Sequence, residues 1–155
     1  MPTTAASAPR EWRRGEWVIS DDPARLDLAA VHAFIAGSYW AANIPRSTFE
    51  RAVRHSLCFG LYRGAPQAGF ARVVTDRATF GYLCDVFVDP AHRGAGLGKW
   101  LVACVLEHPD LQGLRRLSLM TRDAHALYQP LGFRPMREPG RYLEIHRPNA
   151  YAPGP

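Results

Sequence analysis

A glycine-rich turn between an apolar run and an amphipathic stretch constrains this chain more than any other feature. Residues 84–88 are rich in valine and phenylalanine, which suits a strand, and Asp89 and Pro90 end that run. The turn at residues 93–98 comes next, and the apolar residues after it have the spacing of one buried helix face: Leu97, Leu101, Cys104 and Val105. The first amides of a helix lack internal partners and carry partial positive charge, so this arrangement predicts an anion site.

The spacing of the glycines excludes two common anion-binding loops. Gly94, Gly96 and Gly98 give G-x-G-x-G, whereas the dinucleotide fingerprint is G-x-G-x-x-G and a Walker loop continues into Gly-Lys-Ser/Thr. The pattern that is present is R-x-x-G-x-G, which begins at Arg93. A glycine-rich turn is a weak signal alone, so the identity of the anion depends on the surrounding sequence.

The turn resembles the pyrophosphate loop of the GNAT superfamily of N-acetyltransferases, which holds the diphosphate of acetyl-coenzyme A. The stretch V-F-V-D-P-A-H-R-G-A-G-L-G-K-W-L looks like the central strand, loop and helix of that family. About 30 residues downstream, D-A-H-A-L-Y-Q-P-L-G-F at 123–133 resembles its second cofactor-side motif, in which a tyrosine precedes L-G-F. Two motifs in the right order are more specific than either one, and the resemblance covers roughly residues 16–147.

The resemblance implies an α/β fold with a mixed, mostly antiparallel central sheet flanked by helices. The pattern of the chain predicts the order β-α-α-β-β-β-α-β-α-β-β, with the last two strands near Phe133 and over residues 142–146. Turns of a few residues at 63–66 and 76–78 predict an antiparallel meander, because they are too short for parallel crossovers. We expect a flexible arm at 1–15, one acyltransferase domain at 16–147 and a tail at 148–155.

Composition favours a globular cytoplasmic protein without a metal. The 155 residues are 47% hydrophobic and 21% charged, and no apolar run approaches the ~20 residues that span a bilayer. The first residues lack the pattern of a signal peptide. The three cysteines are widely spaced in apolar contexts and form no metal-binding pattern, which favours reduced core thiols: Cys58, Cys84 and Cys104.

The net charge of +5 comes almost entirely from arginine, since Lys99 is the only lysine. The arginines are scattered, and no dense basic run is interleaved with aromatic residues. A nucleic-acid-binding protein is therefore a weak alternative. A non-catalytic acyl-CoA-binding module is a stronger alternative.

The preferred partner is a small-molecule or peptide amine, with no nucleic acid and no membrane. The chain is expected to be a monomer or a homodimer.

The resemblance implies an N-acetyltransferase that moves an acetyl group from acetyl-CoA to a primary amine by direct attack in a ternary complex. The cofactor-binding residues that it implies are Val86, Phe87, Val88, Arg93, Gly94, Ala95, Gly96, Leu97, Gly98, Lys99 and Asp123. Asp123 stands where the family often has asparagine, and it keeps an oxygen that could cap the following helix.

Tyr128 matches the family's general acid, because its phenol, with an ordinary pKa of ~10, is protonated at neutral pH. It could instead be a packed aromatic residue. Asp85 is the candidate base or amine-binding residue, since burial among apolar neighbours would make its carboxylate a better base. A purely structural carboxylate is the alternative, and Cys84 occupies the position where many relatives carry glutamate. The weaker candidate bases are Tyr82, Asp76 and His32.

Tyr39 and Trp40 are the predicted acceptor-binding residues. They are adjacent large aromatic side chains in a loop between the first two predicted helices. Aromatic faces attract ammonium groups, so the pair favours an apolar or cationic small molecule.

Overall fold

The computed structural model describes residues 7–153, which form one six-stranded sheet with helices on both faces. The strands lie in chain order across the sheet: β1 Glu11–Arg14, β2 Trp17–Ser20, β3 Leu57–Arg63, β4 Gln67–Thr75, β5 Phe80–Val88 and β6 Arg116–Leu119. The helices are α1 Leu28–Ala36, α2 Arg46–Arg54, α3 Leu97–Glu107 and α4 His125–Tyr128. The predicted mixed α/β class is confirmed. No helix in this part of the chain is long and apolar enough to cross a membrane.

The pairing of the strands follows from the length of their connections. The first five strands run antiparallel to one another across the sheet, and the short turns in the sequence predicted this arrangement for the central meander. β5 and β6 are parallel, because α3 carries the chain back across the sheet between them. The sequence therefore predicted the centre of the sheet correctly.

Two apolar cores fix the helices on the sheet. α3 packs on one face, where Leu101, Val102 and Val105 are fully buried with Phe59 and Leu83. α1 and α2 pack on the other face in a second core that contains Val31, Ile35, Phe49, Val53 and Phe70. Both faces of the sheet are therefore buried under helices. The ends and edges of the strands are the parts of the sheet where a site can form.

A bulge in β5 interrupts its pairing with β4. Phe70 pairs with Phe87 and Arg72 pairs with Cys84, so two residues of β5, Asp85 and Val86, lie opposite Ala71 alone. Asp85 has a φ of 54°, in the left-handed region that residues other than glycine rarely enter. A bulge re-aims side chains and leaves backbone groups unpaired, and such features are frequent beside active sites.

β6 ends beside the point in β5 where the bulge begins. They pair from Phe80 with Arg116 to Leu83 with Leu119, and no described strand pairs with the β6-facing edge of β5 beyond Leu83. The second half of β5 therefore has a free edge, and the opening beside that edge, beyond the end of β6, is where the site described below lies.

The predicted arm at 1–15 is wrong for its second half. Glu11–Arg14 form β1, paired with β2 around a turn in which Gly15 has a φ of 56°. Trp12 anchors this strand by packing near Phe59 at a ring-centroid distance of 6.0 Å. Residues 1–6 of the predicted arm lie outside the described residues, and the domain limits remain predictions.

The two predicted final strands are also wrong. No strand occurs after β6 in the described part of the chain, and residues 141–150 are all exposed. Leu143 and Ile145 are 90% and 84% exposed. An extended segment becomes a strand only when it pairs with another strand, and residues 142–146 have no strand partner among residues 7–153.

Candidate functional site

The glycine-rich loop forms an open cradle at the start of α3. Gly96 is the N-cap with a φ of 74°, and Gly94 has a φ of 88°, a conformation that favours glycine. No atom lies within 4 Å of the position that a Cβ would occupy at either glycine, and no side chain caps the helix. The first amides of α3 therefore face open space and can accept an anion.

Arg93 ties this loop to the end of β5. Its Nε donates a hydrogen bond to the Val88 carbonyl oxygen at 3.0 Å. Leu97 is buried beneath the loop, whereas Ala95 and Lys99 are exposed. A Cβ at Gly98 would lie 3.7 Å from Val88 and 4.0 Å from Leu127, which are ordinary contacts. Gly98 therefore sits where α3 approaches both β5 and α4.

The free edge of β5 leads from the bulge to the glycine-rich loop. Val86 and Val88 pack into the core beneath α3, and Phe87 faces the opposite side of the sheet. The ring of Phe87 stacks on that of Phe34 at a centroid distance of 3.8 Å, which fixes this part of the strand against α1. Backbone groups on such an edge can pair with an extended, amide-containing ligand.

A buried carboxylate at the bulge connects three elements. Asp85 Oδ1 accepts a hydrogen bond from Trp40 Nε1 at 2.9 Å, and Asp85 Oδ2 accepts one from Arg72 Nε at 2.8 Å. Arg72 NH1 in turn donates to Ser56 Oγ at 3.0 Å. The Asp85 charge is thus paired with a guanidinium, and each carboxylate oxygen keeps a further lone pair for another donor.

Tyr39 and Trp40 lie together on the loop between α1 and α2, as predicted. Their rings meet edge to face at 5.2 Å, and both side chains are exposed. The Arg122 guanidinium lies over the Tyr39 ring at 3.9 Å from its centroid. This contact connects the loop to the segment that precedes α4, so the aromatic pair borders the opening beyond β6.

Tyr128 is the last residue of α4 and is buried. Its ring packs edge to face on Phe133 at 5.7 Å. Burial, with a smaller contribution from Tyr39, raises the pKa of Tyr128 above that of an ordinary phenol. Tyr128 therefore stays protonated at neutral pH and can act as a hydrogen-bond and proton donor.

Other predicted residues lie away from this arrangement or have different partners. The Nε2 of His32 contacts the Ile44 carbonyl oxygen at 2.8 Å. Asp76 closes a turn, where hydrogen bonds from Thr79 and neighbouring amides lower its pKa. Burial raises the pKa of Tyr82. The expected N-cap role of Asp123 is wrong, because Ala124 occupies the cap position and its N–H donates to Thr121 Oγ1 at 2.9 Å.

The cysteine thiols are free and inert at neutral pH. Burial raises the pKa of Cys58, Cys84 and Cys104 to about 12 in each case. The thiolate is the nucleophilic form, so these side chains are poor candidates for a covalent intermediate. Across residues 7–153, no three His, Cys, Asp or Glu side chains cluster in a way that could hold a metal ion.

Sequence reasoning missed Arg72 and Arg122. Arg72 is the only charged residue inside β4, within G-F-A-R-V-V, and a lone charge in an apolar strand signals a buried ionic partner. Arg122 directly precedes the second motif, and no pattern in the sequence connects it to Tyr39. Only the tertiary fold brings that pair together.

Comparisons with known proteins show the family of this chain. The model of the Acetyltransferase (GNAT) family matches residues 10–133. A candidate acetyltransferase of Gibberella zeae is 36% identical over 84% of this chain and 86% of its own length. The crystal structure of a candidate GNAT-family acetyltransferase of Xanthomonas campestris pv. campestris is 45% identical, with a TM-score of 0.87 over 91% of this chain and 100% of that one.

A more distant structure shares the fold. It is N-acetylglutamate synthase from Neisseria gonorrhoeae, complexed with coenzyme A and N-acetyl-glutamate, at 18% identity and a TM-score of 0.64. The match covers 81% of this chain and 30% of that one. The family match spans both motifs, the bulged strand and the glycine-rich loop, and the chain belongs to the GNAT family of acetyltransferases.

Proposed function

We propose that this protein transfers an acetyl group from acetyl-CoA to a primary amine of a small molecule or peptide. The observation that carries the proposal is the opening beside the free edge of β5, beyond the end of β6 at Leu119. The glycine-rich loop lies at one end of the free edge of β5, and Asp85 lies at the other. Tyr39 lies close enough to Tyr128 to contribute to its raised pKa.

The residues around this opening fit the chemistry of acetyl-CoA. The pyrophosphate would bind to the uncapped first amides of α3, where Gly94 and Gly96 leave the approach clear. The pantetheine arm contains amides, and it would pair with the backbone of Val86, Phe87 and Val88 as an added strand does. Exposed Arg93 and Lys99 would favour the negative charge of the cosubstrate.

The reaction is a direct transfer. The neutral amine nitrogen attacks the thioester carbonyl carbon, a C–N bond forms and the C–S bond breaks. A backbone N–H freed by the bulge, at Val86 or Phe87, would stabilise the charge that develops on the carbonyl oxygen. Tyr128 would give its proton to the leaving thiolate, and the amine would lose its proton to water. Direct attack in a ternary complex is favoured over a cysteine intermediate because the thiols have high pKa values.

Asp85 serves this reaction better as a positioning and amine-binding residue than as the base. Its charge is already balanced by Arg72, and Trp40 holds its other oxygen. A bound ammonium could use a remaining lone pair while the ring of Trp40 or Tyr39 lies against the acceptor. Asp85 would then fix the acceptor beside the thioester.

The test is a CoA-release assay with acetyl-CoA and a panel of amines, amino acids, polyamines and peptides. Thermal unfolding is measured in parallel with and without acetyl-CoA. We expect turnover with at least one amine and a Tm raised by the cosubstrate. A raised Tm with no turnover across the panel would favour the alternative, a non-catalytic acyl-CoA-binding module. An unchanged Tm would contradict the proposed cosubstrate itself.

A further inference from the structure

β6 is an edge strand with an open groove beside it. It pairs with β5 on one side, and none of the described strands pairs with its other side. A cavity of about 820 Å³ runs along that side, between β6 and the stretch from Phe133 to Tyr142. Unpaired backbone groups along such an edge are a template for another strand.

The chain itself carries a segment that fits this edge. Residues 142–146 read Y-L-E-I-H, which is the alternation of a half-buried strand, yet Leu143 and Ile145 are 90% and 84% exposed. These are the two most exposed large hydrophobic side chains described, and they point the same way in an extended chain. A surface of this kind is stabilised when another molecule covers it.

We propose that residues 142–146 of a second copy of this chain add as a strand to the free edge of β6. The exchange would be reciprocal, so that each copy receives the segment of the other and the two are related by twofold symmetry. The occupant is a second copy because the stretch before this segment lies across the groove from β6. A turn at Pro139–Arg141, closed by the ion pair of Arg141 with Glu138, then directs the chain into solvent.

The side chains of the segment and the groove match in apolarity and in charge. Leu117 and Leu119 of β6 pack against the core beneath α3, so Leu143 and Ile145 of a second copy would continue that core across the edge. Arg116 and Ser118 alternate with those leucines, as Glu144 does with the apolar residues of its own segment. The groove is basic, because Glu138 pairs with only one of its arginines, Arg141. The other arginines would meet the single acidic residue of the segment: Arg116, Arg134 and Arg137.

The exchange would complete one wall of the site. Tyr128, Thr121 and His125 line the same groove, so a strand from a second copy would cover Tyr128 where it lines that groove. Each copy would therefore close the other's site and limit the access of water to it.

The exchange is tested by sedimentation velocity on the full chain. We expect the natural protein to be a dimer, and the Leu143→Glu/Ile145→Glu variant to dissociate with a Kd raised about 100-fold or more, since two apolar anchors would carry charge. The matched control is Ala150→Glu/Ala152→Glu, which adds the same charge at exposed positions outside the segment and should leave the dimer intact. A monomeric natural protein, or a dimer that survives in the first variant, would overturn the proposal.

Disulfide trapping distinguishes exchange from another kind of dimer. A Ser118→Cys chain and a Glu144→Cys chain are co-expressed with different affinity tags, oxidised and purified through both tags. In a parallel sample an Arg116→Cys chain replaces the Ser118→Cys chain, because the register of the added strand on β6 is not fixed by the proposal. We expect a disulfide-linked heterodimer in at least one sample and none in the natural protein, whose thiols have high pKa values. Absence of the heterodimer in both samples, or a disulfide within single chains of a Ser118→Cys/Glu144→Cys double variant, would refute the exchange.

Discussion

Trp40 Nε1 donates a hydrogen bond to Asp85 Oδ1 at 2.9 Å, which joins a loop side chain that is 44% exposed to a carboxylate that is 8% exposed. The bond crosses from the loop after α1 to the bulge in β5, and Arg72 balances the carboxylate charge from β4. One buried anion thus sets the position of an exposed aromatic residue of the proposed acceptor site.

Asp85→Asn should raise the acceptor KM and lower kcat/KM by about 10-fold, because an amide binds an ammonium less tightly than a carboxylate does. The pH–rate profile should keep its shape, because a residue that only positions the acceptor does not take up a proton during the reaction. Initial rates measured across pH with acceptor at several concentrations would check this. Loss of the acidic limb would instead make Asp85 the general base.

Removing one partner of the Asp85–Arg72 pair should destabilise the fold strongly. Asp85→Ala leaves a mostly buried guanidinium without its carboxylate, which costs about 3–5 kcal/mol of unfolding free energy. The double variant Asp85→Ala/Arg72→Met should recover part of that loss, because no unpaired charge remains buried. Urea unfolding of the two single variants and the double variant gives the coupling free energy, and strict additivity would contradict the pairing.

Tyr128→Phe should lower kcat by about 10²-fold with little change in the acetyl-CoA KM. In the natural enzyme, activity that depends on a protonated Tyr128 is complete at neutral pH and is lost only as the pH rises through its pKa, which burial raises. The matched control is Tyr82→Phe, which removes the hydroxyl of another tyrosine whose pKa is raised by burial. If both variants had the same kcat as the natural enzyme, Tyr128 would not be the general acid and its role would be limited to packing.

Gly96→Val should weaken CoA binding by about 10-fold or more, because a side chain would occupy the open approach to the first amides of α3. The control is Gly113→Val. Gly113 has the same φ of 74° and nothing within 4 Å of its Cβ position, so both variants carry similar backbone strain, about 1–2 kcal/mol. Calorimetric titration with CoA and thermal unfolding separate the two effects. Equal CoA affinities for the two variants would contradict the pyrophosphate loop.

No cysteine of the native protein should react rapidly with a thiol reagent at pH 8. All three thiols have a pKa raised to about 12, so the reactive thiolate is scarce at that pH and increases only as the pH approaches that value. A colorimetric thiol assay should count no fast-reacting thiol in the folded chain and three after unfolding in guanidinium chloride. Rapid labelling of Cys84 would instead favour a mechanism with a covalent acetyl-cysteine intermediate.

The parts of the fold that sequence predicted correctly are those that local pattern determines. The short turns at Arg63 and Asp76 required an antiparallel meander, and the glycines of the loop marked the start of α3. The interaction of Arg72 with Asp85 and that of Arg122 with Tyr39 join residues from separate elements, and spacing along the chain does not encode such contacts.

The errors at the two ends have a common physical cause. β1 exists because β2 supplies a partner and Trp12 finds a core, although the sequence of the arm is polar. Residues 142–146 have the sequence of a strand and lack a partner within the described chain. Strand formation depends on pairing as well as on alternation, and only the alternation is visible in a sequence.

The bulge in β5 also changes which side chains of that strand face each side of the sheet. Leu83, Val86 and Val88 all belong to the core beneath α3, although Val86 is three positions after Leu83 and side chains three positions apart face opposite sides of a regular strand. If the same residues formed a regular strand without the bulge, every side chain after it would move to the opposite face, and Phe87 would leave its stack on Phe34. The bulged conformation of this segment is therefore as constrained as its composition. A change that straightens the strand between Cys84 and Val88 should disrupt both cores, whereas many substitutions there would disturb only one.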